Sequence, residues 1–131
     1  MLEISLLVTA IWFGGMVLYS FGFAPFVFNA LPAETAGPLI RKAFPHFYLF
    51  VFSASALAAC TLAFLDTTSA AVLALIALTT VFARQILMPA INQATDARAK
   101  SRFKVLHTLS VLITLGHIAG AAYVIIRLAA N

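Results

Sequence analysis

Acidic residues are scarce. Glu3, Glu34, Asp66 and Asp96 are the only four in 131 residues, and each falls at the end of an apolar run or in a polar connection. That scarcity counts against a carboxylate di-iron centre and against a proton relay built on buried carboxylates. One cysteine, Cys60, leaves no partner for an intrachain disulfide. No H-x-x-x-H, C-x-x-C or E-x-x-H spacing occurs, so no familiar metal-ligand set lies along the chain. The N-terminus lacks a basic segment, its first apolar run is longer than a signal h-region, and no A-x-A site follows. The first run is therefore expected to be a retained span, not a signal peptide.

What the chain has instead is apolar length. Hydrophobic residues make up 63% and charged residues 9%, and the mean hydropathy is +1.06. A soluble fold of this size could not hide so much apolar surface, so the solvent is expected to be lipid. A membrane helix needs roughly 20 apolar residues to cross a core of about 30 Å. Four such runs are read at about 4–28, 44–65, 70–89 and 103–128, with ends good to about 2–4 residues. Period-two alternation is absent, which leaves helices and not a barrel. Pro25, Pro32 and the Gly37-Pro38 pair punctuate the first connection, and Asp66-Thr67-Thr68-Ser69 supplies a turn with N-cap residues. Gln93 to Lys100 reads as a polar connection. Nothing marks a second domain, so residues 1–131 are expected to form one all-α, up-down four-helix transmembrane bundle.

The basic residues set an expected orientation. Arg41, Lys42, Arg84, Arg98, Lys100, Arg102 and Lys104 lie at or toward connections 1–2 and 3–4, and only Arg127 lies toward the other side. The positive-inside rule then puts those two connections in the cytoplasm and both termini outside, most simply in a bacterial inner membrane. The Arg98–Lys104 cluster reads as topology and lipid headgroup contact, not nucleic-acid binding.

Polar residues inside the runs are the candidates for function, because they are expensive in lipid. On helix 4, His107, Ser110, Thr114 and His117 share one face. Helix 1 has a stripe of Ser5, Thr9, Trp12, Met16 and Tyr19. Helix 2 offers His46, Ser53 and Cys60, and helix 3 Thr80, Arg84 and Met88, with Gln85 and Asn92 alongside. The four seams are expected to meet along one axis. By helix rise, His46 and His107 share a layer near the cytoplasmic edge, with Met88 and Asn92 nearby, and His117 lies near mid-bilayer. Two neutral imidazoles on facing helices could hold a haem b iron or a soft cation such as copper, with Met88 adding a thioether. The plainer reading makes these histidines interfacial or internally hydrogen-bonded groups. Arg84 either snorkels to the interface or faces inward without a carboxylate partner. Gly116 and Gly120 form a G-x-x-x-G, a candidate helix–helix or dimer seam.

Several local patterns occur together: W-F-G-G at Trp12–Gly15, A-P-F-V-F at Ala24–Phe28, A-G-P-L-I at Ala36–Ile40 and F-P-H-F-Y at Phe44–Tyr48. L-M-P-A-I-N at Leu87–Asn92 and R-F-K-V-L-H-T-L-S at Arg102–Ser110 follow. In order and spacing the chain resembles the small four-helix membrane proteins related to transmembrane protein 205, the domain-of-unknown-function 4149 family. The residues that fit that pattern are Trp12, Gly14, Gly15, Pro25, Pro45, Pro89, Asn92, His107 and Ser110. The resemblance implies fold, topology and membrane location. The family has no settled biochemistry, although its animal member is linked to platinum-drug resistance. The Trp-Gly-Gly opening is also shared with the copper-resistance protein D type. Haem-dependent protoporphyrinogen oxidases are similar in size, but they carry a helix 1 histidine that is missing here.

Two functional readings follow. The first is a non-enzymatic membrane protein with an internal site for a metal ion or haem, at His107 with His46 and His117, lined by Trp12, Arg84, Asn92 and Ser110. The second is an accessory or assembly subunit of a larger membrane complex, or a homo-oligomer. An oxidase-type enzyme and a transporter are weaker alternatives.

Overall fold

The computed structural model describes all 131 residues. It contains four long helices and no strands: α1 (Leu2–Ala30), α2 (Ala33–Leu62), α3 (Thr67–Asp96) and α4 (Lys100–Ala129), each long and apolar enough to cross a membrane. Each helix packs on its neighbours in sequence, and α1 against α4 closes the ring. The expected up-down four-helix bundle is what forms.

The helices overrun the apolar stretches that predicted them. Thirty residues rise about 45 Å, against a hydrocarbon core of about 30 Å, so each helix continues into the headgroup region. Hydropathy reports the lipid boundary and not the helix end. This explains α2, which begins at Ala33, with Pro32 as its N-cap. Pro38 therefore lies inside a helix and not in front of one. It leaves unpaired only the carbonyl of Glu34, an exposed first-turn residue that water can reach. Likewise α3 runs on to Asp96, and the polar connection shrinks to residues 97–99. There Arg98 takes the left-handed conformation (φ 53°), and the Ala99 N–H reaches back to the Ala94 carbonyl at 2.9 Å. That is a helix-closing turn in which glycine is usual.

Two prolines deform the helices they enter. Leu18–Phe23 in α1 and Ala83–Leu87 in α3 widen into π-helical turns directly ahead of Pro25 and Pro89. A proline has no N–H to give the carbonyl four residues back, and its ring crowds that carbonyl. Widening the turn shifts the bonds by one residue, so that the Ala24 N–H reaches Tyr19 and the Met88 N–H reaches Ala83. Both wide turns lie in the half of the bundle that carries connections 1–2 and 3–4.

The core runs through the middle of the bundle and toward the end with the termini. Trp12 and Met16 of α1, Val51, Ala58 and Leu62 of α2, Leu73 and Ala83 of α3, and Ala121 and Val124 of α4 are fully or almost fully buried in one cluster. The outer surface is apolar, as lipid contact requires; Phe21, Phe26, Phe64 and Leu78 all face outward. Each end is tied by an ion pair. Arg127 Nε meets Asp66 Oδ2 at 2.8 Å. Arg41 grips Asp96 with two bonds of 2.8 and 3.1 Å. The Arg41–Asp96 pair is largely exposed, so water and salt screen it.

The first half of α4 meets the end of α3 but packs loosely there. No residue from Lys100 through Gly116 is buried; the first that is buried is His117.

Candidate functional site

The seam expected on α1 is present: Ser5, Thr9, Trp12 and Met16 are all fully buried. The hydroxyls there are used locally. Thr9 donates to the Ser5 carbonyl at 2.7 Å, and Ser5 reaches Thr61 of α2 at 2.7 Å. On the other helices, Ser55 and Thr80 likewise donate to carbonyls of their own helix. Hydroxyls satisfied this way bring little free donor capacity to the interior.

The seam expected on α2 is corrected. His46, Ser53 and Cys60 face outward, and the buried face is Phe47, Tyr48, Val51, Ser55, Ala58 and Leu62. Packing volume decided this. Phe47 and Tyr48 fill the space beside Tyr19, whose ring stacks on Phe47 with centroids 4.1 Å apart and planes 8° from parallel. Ala58 then allows close approach lower down.

The proposed ligand layers do not assemble. His46 is exposed on α2 and His107 on α4, and those helices are not neighbours in the ring. His107 stacks on Phe103 (5.4 Å, 8°), and Ser110 donates to the His107 carbonyl at 2.7 Å. Met88 is half-buried against the core, away from any histidine cluster. No group of three or more His, Cys, Asp or Glu residues could hold a metal ion. His117 alone is buried, and its Nε2 is 2.7 Å from Thr79 Oγ1. The neighbouring Thr80, on the seam expected for this helix, donates instead to the Ile76 carbonyl.

Arg84 lies in the wide turn of α3, half-buried and turned toward α2. Its Nε donates to the Pro45 carbonyl at 3.2 Å and one Nη donates to Gln85 Oε1 at 3.2 Å. Asn92 is half-buried farther along α3.

A feature that the sequence reading missed lies on the outer seam of α1 and α2. One groove of about 540 Å³ is lined by Gly15, Tyr19, Ala43, His46, Phe47 and Phe50. A second, of about 280 Å³, is bordered by Val8, Ile11, Trp12, Phe50, Ser53 and Leu57. Phe50 borders both, so they follow one another along the seam. Its ring lies so close to Gly15 that a Cβ there would fall 2.9 Å from Phe50 Cε1. The two buried side-chain polar atoms that lack a hydrogen-bond partner, Trp12 Nε1 and Tyr19 Oη, belong to residues lining these grooves. The sequence signal was the outward pair His46 and Ser53, read there as facing inward.

These features define an integral membrane protein with a packed centre and a grooved lateral seam between α1 and α2. Residues 7–100 match the family described as Domain of unknown function (DUF4149), and the chain belongs to that family. No curated protein and no solved structure matches it. The family match ends where α4 begins. The α1–α2 grooves, Arg84 and both wide turns fall within it; His107, Ser110 and His117 fall outside it.

Proposed function

We propose that the protein is a non-catalytic membrane component, an accessory or assembly subunit that docks a partner helix against the first half of α4. The observation that carries this reading is the run from Lys100 to Gly116, in which no residue is buried although His107, Ser110 and Thr114 stand along it. Polar side chains left facing lipid are costly, and polar groups between membrane helices are a common means of association. The neighbouring Lys100, Arg102 and Lys104 make no ion pair within the chain, which suits a partner with an acidic segment beside its span. With the charge asymmetry read as positive-inside, this docking end is cytoplasmic and both termini are outside, in a bacterial inner membrane.

Photo-crosslinking residues placed at positions 107 and 110, with one at 78 on the lipid-facing side of α3 as control, test the reading in native membranes. The expected outcome is a discrete adduct from 107 and 110 only, lost when Lys100, Arg102 and Lys104 are changed to Glu. Equal labelling at 78, or an adduct of twice the chain's own mass, would count against a subunit role.

The other reading is a metal ion or haem at His107, His46 and His117. Its support is the buried imidazole of His117, with one ring nitrogen uncommitted. The outward placement of His46 and His107 weighs against it. An absorption spectrum and elemental analysis of protein purified in mild detergent separate the two readings: a Soret band or stoichiometric metal lost in His117→Ala favours the cofactor.

A further inference from the structure

We propose that the α1–α2 seam is a binding site for one anionic phospholipid, with the phosphate on Lys42 and His46 and one acyl chain in the groove past Phe50. The site is separate from the α4 docking surface.

Three observations carry the inference. The first is charge placement. Lys42 and His46 are one turn apart on the same face of α2; both are exposed, and neither is engaged in a hydrogen bond or ion pair within the chain. Arg41, their neighbour, is taken by Asp96. The second is polarity along the groove. Its headgroup end has the exposed His46 ring one turn from Lys42, which suits phosphate and ester oxygens, the acceptors of a glycerophospholipid. Beyond Phe50 the walls are Val8, Ile11, Ala54 and Leu57, with Ser53 the one hydroxyl. The third is length. From His46 to Leu57 the helix rises about 16 Å, close to the hydrocarbon depth of one leaflet, about 15 Å.

A neutral lipid would fill the apolar part equally well but would leave Lys42 without a counter-charge. The anionic headgroup therefore supplies the selectivity, and the groove supplies the shape. Gly15 is part of the shape, because only a residue without a Cβ lets the Phe50 ring lie against α1 and divide the seam into a wider headgroup end and a narrower chain end.

Trp12 is the only tryptophan in the chain, and it lines the chain end of the seam. Trp12 is buried just behind that wall, so its fluorescence reports on bromine held against the seam. The whole protein is reconstituted in phosphatidylcholine vesicles that contain a minor fraction of phosphatidylglycerol, with brominated acyl chains on one lipid or the other. Brominated phosphatidylglycerol is expected to quench Trp12 well beyond its share of the bilayer. Lys42→Ala is expected to lower that preference about fivefold, the effect of one basic residue at an anionic surface. His46→Ala should lower it further, while Lys104→Ala, on α4 at the same end, leaves it unchanged. All three positions are exposed, and helicity and elution volume confirm that each variant is folded. Quenching in simple proportion to bilayer composition would overturn the proposal in favour of an ordinary lipid annulus. Absence of quenching by either lipid would overturn it in favour of a seam covered by protein.

Discussion

His117 of α4 and Thr79 of α3 share the one hydrogen bond between side chains inside the membrane that ties these two helices together, at 2.7 Å. The same threonine hydroxyl lies 2.9 Å from the Leu75 carbonyl and 3.1 Å from that of Ile76. The hydroxyl has one proton: given to a carbonyl, it leaves Thr79 to accept from a His117 Nε2–H; given to the ring, it makes Nε2 the acceptor. The bond stands where α4 first becomes buried, so it anchors the packed half of the helix below the open half.

Thr79→Val should therefore loosen the α3–α4 contact. Hydrogen bonds between membrane helices average about 0.6 kcal/mol and reach about 1.7. Unfolding in mixed detergent is expected to show a loss in that range, and a double-mutant cycle with His117→Ala should recover most of it as coupling. A cycle with no coupling would mean that His117 is held by packing alone.

Asp66 makes the opposite end sensitive to acid. Arg127 donates to its carboxylate, as does the Ser69 hydroxyl at 2.7 Å, and these contacts, led by Arg127, hold its pKa down at about 2. A carboxyl with a depressed folded-state value binds protons more readily when unfolded, where its pKa is about 3.9. Its contribution to stability is complete above that range and disappears as pH falls toward about 2. Between about pH 5 and pH 2, the wild-type protein should lose stability more steeply than Asp66→Asn. Parallel acid profiles for the two proteins would show that the pair contributes nothing.

These two contacts mark the limits of what spacing could reveal. The α1 seam was legible because Ser5, Thr9, Trp12 and Met16 are the polar or soft residues of an otherwise uniform apolar helix and fall on one face. The Asp66 turn was legible because capping chemistry is local. In α2 the same logic failed: His46 and Ser53 point one way and Ser55 another. In a bilayer an outward polar group can be served by headgroups or a bound amphiphile, so polarity alone does not define the inside. The wide turns before Pro25 and Pro89 and the length of α2 were not legible either. Hydropathy follows lipid, and helical hydrogen bonds continue past it.

The G-x-x-x-G of α4 divides into two unlike positions. A Cβ on Gly120 would lie 3.0 Å from Ile76 Cδ1, whereas one on Gly116 would meet nothing within 4 Å. Gly120→Val should cost about 1–3 kcal/mol by overpacking the α3–α4 contact. Gly116→Ala should be neutral or gain up to about 1 kcal/mol of helix propensity in isolated protein. If Gly116→Ala also abolishes the crosslinks expected from positions 107 and 110, the close approach at Gly116 belongs to the partner helix, as the subunit reading requires.

Arg84 poses a question that magnitudes can decide. A cation at the centre of a membrane helix costs about 2.5–3.5 kcal/mol on insertion scales, an upper bound for Arg84, which lies toward the Pro89 end of its apolar run. The bond from its Nε to the Pro45 carbonyl returns at most about 1.7 kcal/mol. Partial exposure reduces the first figure, since the guanidinium can reach toward water, but the balance still favours an apolar replacement. Arg84→Met is therefore expected to raise unfolding stability by about 1 kcal/mol, not lower it. A loss of stability of 1 kcal/mol or more in Arg84→Met would reverse this, making the side chain a strut between α2 and the wide turn of α3.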